Sequence, residues 1–230
     1  MENKLQIHSQ AILIQTDDGS SSLMQPDLGE TYHSHFGAIT ESEHVFIRNG
    51  FLALNSGKPE ICILEIGFGT ALNALLTLAN SKTNQKVHYT GIERFPVLVE
   101  LAKQLNYCES ADLQLFETEF QTMHQCDWAK ETTISENFYL TKLNLDIESY
   151  FPESEQFDLI YFDAFSPNVQ QELWKAEIFR RMFFGLKPGG FLVTYCAKGI
   201  VKEAMREAGF QVKRLAGPPG KRHMVKAIKK

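Results

Sequence analysis

From residue 60 onward, short apolar runs of strand length alternate with stretches of helical periodicity. The runs are EICILEI, KVHYTGI, FYLTKLN, FDLIYF, FLVTYCA, FQVKRLA and HMVKAIK. Between them, TALNALLTLANS, PVLVELAKQL, QELWKAEIFRRMFFGL and GIVKEAMREAG read as helices. Pro96 stands near the first turn of the second, and KPGG closes the third. Beta-alpha alternation of this kind predicts an α/β fold: a mostly parallel, seven-stranded sheet with helices on both faces. Ligands of such sheets gather at the carboxyl ends of the strands, where strand order reverses. The residues that follow each apolar run are therefore the first place to look for chemistry.

Residues 1–55 form a polar, mixed segment and read as an N-terminal extension packed on a catalytic domain of residues 56–230. The extension holds a strand pair, QAILIQTDDGSSSLMQ, with Asp-Gly as its turn signal. An amphipathic helix follows in YHSHFGAITESEHVFIRNGFLAL, carried by Val45, Phe46, Phe51 and Leu52. FQTMHQCDWAKETTISENFYL reads as an inserted hairpin or lid. No apolar run approaches the roughly 20 residues of a membrane span. MENKLQIHSQ lacks the apolar segment of a signal peptide, which points to the cytoplasm. Cys62, Cys108, Cys126 and Cys196 are far apart with no CxxC pair, so buried free thiols are expected rather than zinc or disulfides. The net charge of −5 divides unevenly: Lys198–Lys230 carries +8, leaving −13 on the remainder. A basic tail on an acidic body suits a polyanion partner, and equally a solvated helix face with a frayed end.

LEIGFGTALNA sets Gly67 and Gly69 at a strand-to-helix turn, where glycine permits close approach of a ligand to the backbone. A dinucleotide fingerprint needs a small residue at its third glycine position, and Leu72 stands there, which disfavours NAD. Glu93 ends the second run and suits a ribose diol. The three residues describe a site for an adenosine-type ligand without pyrophosphate, such as S-adenosyl-L-methionine. Asp146 ends a later run and suits the adenine amino group. A turn-glycine pair also occurs without a ligand, and Asp146 also reads as a surface acid at a strand end.

FDLIYFDAFSPN places Asp163 where a buried strand should stop, followed by Phe165 and Pro167. Methyl transfer to nitrogen needs no nucleophile from the enzyme. It needs the amine held in attack geometry and a way for its proton to leave. A carboxylate orients the amine and offsets its developing charge, an aromatic ring packs against it, and proline stiffens the loop. A cap for the helix containing Trp174 is the plainer reading of Asp163.

ILEIGFGTALN, YTGIERFP, FDLIYFDAFSPNVQQELW, LKPGGFLVTYCAKGIVKEAMREAGF and GPPGKRHM together resemble the MnmC-type tRNA methyltransferases, in their stand-alone methyltransferase form, over about residues 30–230. The resemblance implies a Rossmann-like class I methyltransferase that uses S-adenosyl-L-methionine. It implies methylation of the 5-aminomethyl group of the wobble 2-thiouridine in tRNA. It also implies that Glu65, Gly67, Phe68, Gly69, Thr70 and Asn73 line the methionine and ribose, that Glu93 binds the ribose hydroxyls and that Asp163 is the essential carboxylate. Tyr32, Ser34, Glu41 and Glu43 correspond to a family segment near the active site. The chain departs from the family at Ala71, where glycine is usual, and 230 residues leave no room for the FAD-dependent domain of bifunctional members.

An anticodon stem-loop is a polyanion, and its phosphates should supply much of its affinity. GPPGKRH offers Lys221, Arg222 and His223 on a stiff loop, and Lys198, Lys202 and Arg214 extend the patch. Phe165 and Trp174 are candidates to enclose a splayed base, with a core role for Trp174 as the alternative. His33 and His35 suit loop hydrogen bonding rather than metal. Two other functions fit these residues: transfer of a methyl or aminopropyl group to a small free amine, and non-catalytic RNA binding.

Overall fold

The computed structural model describes residues 11–54 and 57–230. The segment MENKLQIHSQ and the expected division after residue 55 fall outside the described residues. Strands β1 (Ile12–Gln15), β2 (Ser21–Gln25) and β3 (Glu30–Thr31) form a small antiparallel sheet, as the Asp-Gly turn signal predicts for the first pair. Helix α1 (Ala38–Ser42) runs on through a π-helical turn, Glu43–Arg48, and a 3-10 turn, Phe51–Ala53. The main sheet contains β4 (Glu60–Ile66), β5 (Lys86–Glu93), β6 (Glu131–Ser135), β7 (Phe138–Asn144), β8 (Phe157–Phe162), β9 (Leu186–Thr194), β10 (Gln211–Ala216) and β11 (His223–Ile228). Its order is β10-β11-β9-β8-β4-β5-β7-β6, with β9, β8, β4, β5 and β7 parallel. Helices α2 (Leu72–Ala79), α3 (Val99–Ala102), α4 (Glu117–Gln125), α5 (Ala176–Gly185) and α6 (Gly199–Glu207) complete it.

The sheet thus has eight strands, not seven. The additional one, β6, pairs antiparallel with β7 at the sheet edge. Of its residues only Ile134 is buried, so it carries almost no apolar signal. The segment read as a hairpin or lid is half of one: its first residues belong to α4, which is anchored through Phe120 and Met123, and the rest forms the β6–β7 hairpin. Helix α3 is a single turn, and Pro96 lies outside it because Leu98 is still extended (ψ 137°). The third expected helix is broken at Lys175 (ψ 154°), which separates a 3-10 turn, Gln171–Trp174, from α5. KPGG does not end that helix in a loop; it already belongs to β9, where Gly189 N–H donates to the Lys229 carbonyl at 2.9 Å.

Strands covered on both faces are apolar throughout, and the two faces follow from alternation. Ile61 and Ile63 of β4 and Leu159 and Tyr161 of β8 pack toward α2 and the N-terminal helix. Leu64, Ile66, Ile160 and Phe162 pack toward α5 and α6. The same alternation assigns Glu65 and Asp163 to the first of these faces. The four cysteines are free thiols; Cys108 and Cys196 are buried, and Cys62 and Cys126 are half-buried. Among the described residues, no helix is long and apolar enough to cross a membrane.

The β1–β2 turn fixes where α1 begins. Thr40 N–H and Oγ1 both donate to Asp18 Oδ2, at 2.9 and 2.8 Å, and Ala38 N–H reaches Thr16 Oγ1 and Ser20 Oγ. Partial burial pushes the Asp18 carboxyl up, but the hydrogen bonds from Ser20 and Thr40 outweigh it and hold it at about 2. A depressed carboxyl stabilises the fold above its unfolded value and loses that contribution as pH falls toward 2. Asp18→Ala is therefore expected to cost about 1 kcal/mol at pH 7, the usual value of an exposed cap. Urea titrations should show that difference shrinking below pH 4, and a pH-independent difference would remove the assignment.

Candidate active site

The carboxyl ends of β4, β5, β7 and β8 open into one cavity of about 440 Å³. Strand order reverses here, since β4 is flanked by β5 on one side and β8 on the other. Gly67, Gly69, Glu93, Asp146 and Asp163 all line it. The backbone stitches the strand ends together: Gly67 N–H donates to the Ile92 carbonyl at 3.0 Å and Asp163 N–H to the Ile66 carbonyl at 2.9 Å. Gly67 has φ +87°, and a Cβ there would stand 2.6 Å from the Asp163 carbonyl oxygen. Ala71, the departure from glycine, also adopts a left-handed conformation (φ 61°, ψ 13°), at the start of α2. Leu72 is buried in the core, as its bulk requires.

Glu65 does not line the cavity. It is buried behind it, where Asn73 Nδ2 donates to its Oε1 at 2.7 Å and Tyr89 O–H to its Oε2 at 2.8 Å. The same Asn73 amide donates to Asp163 Oδ2 at 2.8 Å, so its two N–H groups bridge two carboxylates. This polar layer exists because residues 65, 89 and 163 share one sheet face under α2. Asp163 is reached from the cavity but ringed by protein. Burial, with Glu41 adding repulsion, pushes its carboxyl up to about 7; the Asn73 hydrogen bond and Lys221 oppose that rise. Burial likewise raises Glu65 well above the usual carboxylate range.

Glu93 accepts Gly69 N–H at 3.0 Å and Phe95 N–H at 2.8 Å, which leaves lone pairs on both oxygens. Burial raises its carboxyl too. Asp146 accepts from Glu148 N–H and pairs with Arg94 at 2.7 Å. The Arg94–Asp146 pair spans the ends of β5 and β7 beside Ile92, Leu145 and Ile147, an apolar slot with a polar edge. Carboxylates outnumber lysine and arginine around the cavity, which favours a ligand with positive charge and several donors. Exposed main chain at Gly67 and Gly69, the diol-type acceptor Glu93 and the flat slot together fit S-adenosyl-L-methionine.

The opposite wall comes from the N-terminal segment and the loops after β8 and β9. Tyr32, Ser34, Phe68, Thr70, Phe165 and Lys198 line the cavity. Tyr32 and Phe165 meet edge to face at 5.1 Å. Glu41 lines the cavity; Glu43 does not. Pro167 is buried within its loop and Arg222 is exposed outside, so neither lines it. Trp174 is core: its indole N–H donates to the Phe165 carbonyl at 2.9 Å and so braces that loop. His33 is wall rather than ligand, bonded to Ser22 at 2.9 Å and facing Thr70, and burial holds its ring down at about 4, hence neutral. Among the described residues, no group of His, Cys, Asp and Glu could hold a metal ion. Sequence reasoning missed Phe36, which is 54% exposed at the cavity mouth against Gly220, and Tyr195, whose O–H donates to the Ala164 carbonyl at 2.9 Å. An exposed Phe beside two histidines was the only available signal for the first.

A family model described as S-adenosyl-L-methionine-dependent methyltransferase matches residues 110–230. The chain is similar to the tRNA 5-methylaminomethyl-2-thiouridine biosynthesis bifunctional protein MnmC of Delftia acidovorans, with 29% identity over 88% of this chain and 33% of that protein. The protein of the same name from Aromatoleum aromaticum is 31% identical over 91% of this chain and 34% of its own length. The chain thus spans about a third of the length of these relatives. MnmC2 from Aquifex aeolicus shares the fold, with a TM-score of 0.79, 24% identity and coverage of 97% of this chain and 71% of that one.

Proposed function

The chain belongs to the S-adenosyl-L-methionine-dependent methyltransferase family, and on that premise we propose that it methylates the 5-aminomethyl group of the wobble 2-thiouridine in tRNA, giving 5-methylaminomethyl-2-thiouridine. The observation that carries this reading is the meeting of Gly67, Glu93 and Asp163 at one cavity. The name borne by the similar bifunctional proteins supplies the substrate class.

When bound, S-adenosyl-L-methionine supplies an electrophilic methyl group, and transfer to an amine leaves one proton to be released. Main chain at Gly67 and Gly69 cradles the methionine end, Glu93 accepts from the ribose hydroxyls, and Asp146 faces the adenine edge. Thr70 and Phe68 shape the wall, and Asn73 holds Asp163 in place. Asp163 accepts an N–H of the neutral amine, which aims its lone pair, and takes the departing proton. A carboxyl poised at about 7 accepts that proton at physiological pH and returns it to solvent. Tyr32, Phe165 and Phe36 offer aromatic surface against which the extruded base packs. Lys202, Arg214 and Arg222 all bear on His223 and so form one basic patch beside the cavity, with Lys198 at its rim. That patch faces the phosphates. A tRNA substrate fits a cytoplasmic activity, carried mainly by residues 57–230, with residues 30–36 and Glu41 of the N-terminal segment on the cavity wall.

The test is methylation of tRNA carrying 5-aminomethyl-2-thiouridine, followed by nucleoside analysis. The methylated nucleoside should appear. With about three phosphates contacted on a single strand, raising salt from roughly 50 to 200 mM should weaken tRNA binding by ~20-fold. Turnover of a free alkylamine without salt-sensitive tRNA binding would instead favour the small-amine reading.

A further inference from the structure

The ammonium of Lys221 is engaged within the protein. Lys221 sits on the loop between β10 and β11, and its ammonium pairs with Glu41 of α1, whose side chain is 8% exposed. Ser34 N–H donates to the second Glu41 oxygen at 2.8 Å. The same ammonium lies 4.0 Å above the Tyr195 ring, and Tyr195 donates to the Ala164 carbonyl, next to Asp163. A second tie runs parallel: the His44 ring contacts the Ala216 carbonyl at 2.9 Å. The N-terminal helix and the β10–β11 loop are thus joined across the cavity wall, and Glu41, Lys221, Tyr195 and Asp163 all line that cavity.

We infer that Glu41 and Lys221 are a matched pair of positioning residues, which lock the N-terminal helix to the β10–β11 loop and balance the field on Asp163. This rests on the reading of Asp163 as the proton acceptor. The groups that face Asp163 are Glu41 from α1, Glu65 from β4, Asn73 from α2, Tyr195 from the end of β9 and Lys221 from the loop; Tyr89 of β5 stands one layer back. Glu65 and Tyr89 are fixed in the hydrogen-bonded layer beneath. Glu41 and Lys221 are opposite charges on two separate elements, α1 and the β10–β11 loop. Pairing offsets their fields in part, Glu41 acting on Asp163 more strongly than Lys221, and removing either one exposes the other.

The two partners therefore make opposite predictions. In kcat/KM profiles for tRNA methylation, Lys221→Met leaves Glu41 uncompensated and should move the acid limb up by about 0.5–1 pH unit. Glu41→Gln leaves Lys221 uncompensated and should move it down by at least as much, and the double variant should fall between the two single variants. A merely structural pair would lower rates without opposed shifts. Shifts in the same direction, or none, would overturn the inference. Lys221→Arg covers the case of a variant that does not fold: it keeps the cation and should leave the limb in place, and a displacement as large as that of Lys221→Met would count against the pair. Residual activity of Asp163→Asn separates the two levels. A limb near pH 7 that persists there refutes Asp163 as the titrating group, whatever the pair does.

Discussion

Asp163→Asn is expected to lower kcat for tRNA methylation by about 10²–10⁴-fold, the range of a lost general base. Affinity for S-adenosyl-L-methionine should stay within about threefold of wild type, because the amide oxygen can still accept the Asn73 N–H that now ends on Asp163 Oδ2. The same substitution should stabilise the protein. The Asp163 carboxyl stands at about 7, above its unfolded value. Between pH 4 and 7 the folded state therefore holds a proton that the unfolded chain has released, so stability falls as pH rises through that window. An asparagine carries no such cost. After discounting for solvent in the open cavity, the gain at pH 8 is on the order of 1–2 kcal/mol, and it should vanish near pH 4. Thermal melts at the two pH values and calorimetric titration of the cofactor check both halves. Full turnover in the variant would remove the catalytic role, and a stability gain equal at both pH values would remove the electrostatic one. Loss of activity joined to gain of stability is the expected trade-off at a site built for chemistry.

The alternation that exposes the fold to a reader of the sequence also explains what stayed hidden. Strands β4, β8 and β9 carry buried apolar runs and β5 and β7 bury alternate residues, so all five parallel strands are legible. Strand β6 shows one face to solvent and buries one residue, Ile134, so it left no pattern. Helix α3 was legible but is shorter than PVLVELAKQL predicts, and α4 was missed for a related reason: it touches the core through two residues, Phe120 and Met123. Gly67, Glu93 and Asp163 were readable because strand ends of this fold must converge. Period two also determines which sheet face Glu65 shares with Asp163, but not that Glu65 lies behind Asn73 rather than in the cavity; that depends on the docking of α2. The Glu41–Lys221 pair was beyond reach. Its members are 180 residues apart, and nothing local marks Lys221 as different from its basic neighbours.

Gly67→Ala is the second large effect, because one methyl group touches both halves of the site. At φ +87° an alanine is strained by about 1–2 kcal/mol. Its Cβ would also lie 2.6 Å from the Asp163 carbonyl oxygen and 3.0 Å from the carbonyl carbon. Neither contact can be relieved by rotating a side chain, since both atoms are backbone. The loop after β4 must therefore move away from the loop after β8, which separates the main chain expected to cradle the cofactor from the carboxylate expected to hold the amine. Affinity for S-adenosyl-L-methionine should fall on the order of 10²-fold, and kcat should fall with it, because misplacement by an ångström is costly in attack geometry. Gly189→Ala isolates the strain from the clash. Gly189 has a similar φ of +78° but no atom within 4 Å of its would-be Cβ, and it lies in β9, away from the cavity. That variant should lose about 1 kcal/mol of stability and keep cofactor affinity and turnover. Equal losses of cofactor affinity in the two variants would mean that backbone strain alone accounts for Gly67, and that the contact between the two loops does not hold the site together.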